Sequence, residues 1–147
     1  MEWFNYIGLI FVALLLISNI IFAFKNKGEQ NKQNNKVLGI FEQIGRYGSM
    51  IFMIFNIPYI VFGYYFACGQ ILYIAINSAL MLVYYILCII FWKKDCLAKS
   101  LLLSILPSIL FIFSGVLIVN IPLIAFAIIF AVFHILISVK NYIIEGN

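Results

Sequence analysis

Charge is what this sequence has least of. Only 10% of its 147 residues are Asp, Glu, Lys or Arg, against 66% apolar residues and a mean hydropathy of +1.15. Nine basic and five acidic side chains cannot clothe a soluble core of this size, so an ordinary soluble domain is excluded. Cysteine is nearly as scarce: Cys68, Cys88 and Cys96 form no CxxC pair, so neither a disulfide framework nor a zinc site is indicated. Histidine occurs once, at His134, with no second His, Cys or carboxylate at ligand spacing. No metal and no cofactor are expected. Phosphate loops, HExxH, GxSxG and paired-carboxylate spacings are also missing, which leaves catalysis little to stand on. The first apolar run lacks the basic lead-in and small-residue cleavage site of a secretory signal.

What is present is a series of apolar blocks. The one long polar interval among them is Lys25–Gly48, which holds five of the nine basic residues. The blocks match membrane-spanning length and predict spans over residues 3–24, 49–67, 71–92, 101–119 and 123–139. Pro58 and Pro107 fall inside two of these and predict kinks. The expected fold is therefore all-α, a polytopic bundle of five transmembrane helices forming a single domain. Cys68–Gln70 and Asn120–Pro122 read as tight turns, with Pro122 suited to a helix start.

The polar interval divides in two. Lys25–Lys36, rich in Asn, Gln and Lys, reads as a solvated loop. From Val37 to Gly48 a helical period emerges. Val37, Phe41, Ile44 and Gly48 share one side, and Glu42, Gln43 and Arg46 the other. That pattern predicts one amphipathic helix lying in the cytoplasmic interface, with Gln43 and Arg46 facing water. Its glycines, and Gly48 above all, suggest a hinge into the following span. Glu42 and Arg46 stand i, i+4, the spacing of an exposed helical ion pair.

With five spans, all nine basic residues fall on one side of the membrane. The positive-inside rule then places the N-terminus outside and the C-terminus in the cytoplasm. The same distribution, basic residues beside apolar blocks, points to a membrane and not to nucleic acid.

Polar residues within the spans form stripes. Tyr73, Asn77, Tyr84 and Cys88 line one side of the third. Ser104, Ser108 and Gly115 share a side of the fourth, and Ala127, Ala131, His134 and Ser138 a side of the fifth. Small and hydroxyl residues at that spacing let membrane helices approach closely. Counting inward from the cytoplasmic ends, Asn19, Asn56, Tyr84, Ser108 and His134 come to similar depths. They predict a polar layer, with Arg46 near its rim, as the candidate ligand site. The expected function is that of a non-enzymatic membrane component that acts by binding a partner or as an accessory to one. The alternatives are an oligomeric transporter of small solutes or lipids, then a lipid-modifying enzyme. Expected partners are membrane lipids and a second copy or another membrane protein.

Overall fold

The computed structural model describes residues 3–25, 36–60, 62–64, 66–94 and 96–146. The polar loop over 26–35 lies outside them. Five helices account for most of what is described: α1 (Tyr6–Lys25), α2 (Lys36–Ile54), α3 (Gly69–Ile90), α4 (Leu97–Ile118) and α5 (Ile121–Gly146). Among the described residues three helical stretches are long and apolar enough to cross a membrane: α3, α4, and α5 as far as Lys140. The apolar part of α1, Tyr6–Ile21, is shorter.

Neighbouring helices alternate in direction, so the bundle has two distinct ends. At one end Asn5 N donates to Ile54 O, Asn56 N to Trp3 O and Phe62 N to Val119 O. This end gathers the start of α1, the α2–α3 connection and the α4–α5 turn. That turn is as tight as the sequence suggests. Val119 closes α4 in the left-handed region (φ 53°, ψ 52°), and the side chain of Asn120 accepts from Leu123 N to cap α5. The Nδ2 of Asn120 also donates to Phe52 O, satisfying a carbonyl that the end of α2 leaves open.

The second helix departs from expectation. A separate interfacial helix over 37–47, a hinge at Gly48 and a span over 49–67 give way to one continuous helix, Lys36–Ile54. It stops at Ile54 because Pro58 cannot continue a helix and disfavours helical geometry at Ile57. Pro58 therefore ends a helix and does not kink one. The connection to α3 is correspondingly long, residues 55–68, instead of a three-residue turn at Cys68–Gln70.

Gly45 and Gly48 of α2 are contact points, not hinges. A Cβ on Gly45 would lie 2.5 Å from Phe130 N, and one on Gly48 would lie 2.4 Å from the Phe126 ring. Their absence of side chain brings α2 directly against α5, where Phe52 stacks on Phe126 with ring centroids 5.4 Å apart. Gly8 does the same for α1 against α2, since its Cβ would meet Met53 O.

This contact draws the acid of α2 inward, while Gln43 stays exposed as its position predicts. Glu42, Gly45 and Ser49 are buried, while Val37, Ile40, Phe41, Ile44, Tyr47 and Ile51 are exposed. An interfacial helix would direct its charges to water. Here the acid is drawn inward because Arg46 and His134 meet it there, and the apolar face looks out. The core between the helices is filled by side chains such as Leu15, Met53, Tyr73, Phe111, Leu123 and Ala127.

Candidate functional site

The densest grouping of polar chemistry lies at the α2–α5 contact, near the end of the bundle where α2 begins. Glu42 is only 6% exposed. One helical turn on, Arg46 donates through Nη2 to Glu42 Oε1. From α5, His134 Nδ1 lies 3.1 Å from the same oxygen. Phe130, one turn before His134, completes the arrangement. Its ring stacks on the imidazole at 4.8 Å and 19°, and the Arg46 guanidinium lies over its face at 5.9 Å, a cation–π geometry. Gly45 makes this possible by admitting the Phe130 backbone.

Hydroxyls extend the grouping along α5 and α4. Ser138 Oγ donates to His134 O at 2.9 Å, and the Ser104 and Ser138 hydroxyls are hydrogen-bonded across the two helices. Ser108 Oγ returns to Ser104 O at 2.9 Å, leaving Ser108 a partner on its own helix.

Beside Arg46 and His134 is a cavity of about 20 Å³ that Asn19, Leu103, Pro107 and Phe130 also line. It has room for about one water. Asn19, Arg46 and His134 give it a polar lining. Arg46 Nε is buried with no protein partner. Pro107 deprives the carbonyl of Leu103, four residues back, of its helical donor.

Of the residues read as one layer, the fold brings Asn19, Arg46 and His134 around this cavity and separates the others. Ser108 and Tyr84 are buried nearby in sequence depth but do not line it, and the Tyr84 ring meets Tyr85 edge-on at 6.0 Å. Asn56 lies at the opposite end of the bundle, its amide N bonded to Trp3 O at 2.7 Å. The cause is the shift of the helix from 49–67 to 36–54, which moves Asn56 from a third of the way along a span to beyond its end. Arg46, expected to face water, is turned inward.

Sequence reasoning missed Glu42 as an interior residue. The available signal was the α2 pattern itself, a wide apolar face opposite a narrow polar one carrying glycine and serine. It also understated the opposite half of the bundle. There Ser114 Oγ donates to Asn77 Oδ1 at 3.1 Å across α3 and α4, and Asn5 Oδ1 accepts from Gly8 N to cap α1.

Chemically, the grouping is one carboxylate held by a guanidinium and an imidazole. Among the described residues no three His, Cys, Asp or Glu side chains come together in a metal-binding group. Comparison with protein families, with characterised proteins and with solved structures finds no match for this chain.

Proposed function

We propose that the chain crosses the membrane five times, N-terminus outside, and acts as a non-enzymatic membrane component that binds a partner within the bilayer. The observation that carries the membrane layout is the inversion of α2. A helix with its carboxylate inside and Val37, Ile40, Ile44, Tyr47 and Ile51 outside suits lipid surroundings and not water. Its 19 residues reach about 28 Å, close to the apolar thickness of a bilayer. Adding α1 gives five spans, with the basic residues among those described toward one end.

Binding is favoured over turnover by the state of the ionic cluster. Glu42 is held from both sides, and the adjoining cavity matches a water molecule, not a substrate. The cluster then serves as a strut between α2 and α5, and recognition falls to the apolar outer faces, such as Ile10, Ile17 and Ile20 on α1. Native mass measurement in mild detergent tests this. A second copy or a stoichiometric protein retained, and lost on Ile17→Trp, is the expected result. A monomer that retains no protein overturns it.

A second reading, solute or proton transport by an oligomer, is favoured by the same Glu42–His134 contact, because ionisable groups inside a membrane bundle mark transport paths. Proton or solute flux into vesicles that Glu42→Gln abolishes would promote it over the first.

A further inference from the structure

Between α2 and α3, residues 55–68 contain no charged side chain, and Asn56 is their one amide. The described part of this connection is not helical. Phe55 forms an isolated antiparallel bridge with Phe4, a turn follows over 58–60, and Tyr59 (φ 73°) and Gly63 (φ 94°) adopt left-handed backbone. Tyr64 packs against the core, but other apolar side chains of the connection point away from the protein. Tyr59 is 98% exposed, Phe62 71% and Phe66 57%. Trp3 and Tyr6 are exposed at the same end, and the Trp3 ring stacks on Phe55 at 5.9 Å.

We propose that this connection is an interfacial anchor whose ligand is phospholipid, seated where headgroups meet acyl chains in the leaflet opposite the basic end. The proposal rests on the membrane-crossing layout given above. Two requirements fix the depth. Irregular backbone has N–H and C=O groups that helical bonding does not satisfy, so it cannot sink into the hydrocarbon. Exposed Phe and Tyr rings with no charged neighbours do not remain in water. The headgroup boundary meets both needs, and amphipathic aromatic rings concentrate there. Continuity favours lipid over protein as the occupant. The anchor adjoins Trp3 and Tyr6 and leads directly into α3, whose outward residues Ile71, Leu72 and Leu82 are apolar and exposed. Protein-docking patches are rimmed by polar and charged groups, and among the described residues this end of the bundle has no Asp, Glu, Lys or Arg.

The test uses single-tryptophan reporters in the full chain, with Trp3→Phe and Trp92→Phe as background. Tyr59→Trp and Phe62→Trp probe the anchor, and Leu82→Trp, on the outer face of α3, probes the bilayer interior. Tyr59 has almost no packing to lose, so its replacement does not endanger folding. The variants are reconstituted in phosphatidylcholine–phosphatidylglycerol vesicles brominated either near the headgroup or near the chain ends. The anchor reporters are expected to emit blue-shifted light, to be quenched more by shallow than by deep bromine, and to resist aqueous iodide. The Leu82 reporter is expected to show the reverse depth preference. If Leu82→Trp is quenched by lipid but the anchor reporters respond only to iodide, the connection lies in water and this proposal alone falls. If the anchor reporters respond to neither quencher, protein covers them, a second copy included, and the proposal is again overturned. If Leu82→Trp is itself untouched by bromine, the membrane layout fails and takes the anchor with it.

Discussion

His134 Nδ1 stands 3.1 Å from Glu42 Oε1, so the chain's one histidine bridges its last helix to the buried acid of its second. Replacing Glu42 by Ala leaves Arg46 and His134 facing each other without the anion. The expected loss is about 3 kcal/mol, the lower end for a broken buried pair, because Arg46 keeps some contact with solvent. Reversible unfolding in mixed micelles measures it. Combining Glu42→Leu with Arg46→Met and His134→Leu is expected to restore much of that stability, since the uncompensated charge is then removed altogether.

Gly45 and Gly48 make a graded pair. At Gly45 the added Cβ meets backbone, Phe130 N at 2.5 Å, whereas at Gly48 it meets the Phe126 ring, which has freedom to turn. Gly45→Ala is therefore expected to destabilise more than Gly48→Ala, by about 1–3 kcal/mol as overpacking costs. Equal losses would mean that the α2–α5 contact yields as a whole.

The three native thiols report the layout without engineering. Cys68 is exposed, Cys96 partly so and Cys88 buried. A membrane-impermeant maleimide should label Cys68 in intact cells, Cys96 only after the membrane is opened, and Cys88 only on unfolding. Labelling of Cys96 from outside would invert the topology.

Across α3 and α4, Asn77 and Ser114 share a hydrogen bond of 3.1 Å. A double-mutant cycle with Asn77→Leu and Ser114→Ala should give a coupling of about 0.6 kcal/mol, the usual size of such bonds between membrane helices.

The inward faces of the C-terminal three helices were legible in the sequence. Tyr73, Asn77, Tyr84 and Cys88 are all buried as their spacing implies, as are Ser104, Ser108 and Gly115. Those helices have a largely apolar outward surface, so polar residues away from their ends tend to turn in, although Gln70 at the start of α3 is exposed. The Asn120–Pro122 turn was legible because the asparagine and proline carry local chemistry that needs no tertiary help. The second helix was not. Glu42 and Arg46 look water-seeking until His134, far along the chain, is known to lie beside them. Pro58 is ambiguous for a related reason: whether it kinks or ends a helix depends on what receives the freed backbone groups, and Trp3 and Asn5 do so here. Asn19, Arg46 and His134 came together, but Asn56 was assigned a depth from a helix that starts elsewhere.

On the five-span layout, the contact between Glu42 and His134 also implies an order of events during biosynthesis. The apolar helices α3, α4 and α5 can leave the translocon for lipid on their own hydropathy. On the five-span layout, α2 reaches the same point early but carries an acid and a base whose third partner has not yet been synthesised. Its settling in the bilayer is then expected to follow the arrival of α5. On that layout, a nascent chain halted before His134 lacks the imidazole that meets Glu42 and is expected to hold α2 less firmly than the finished protein does.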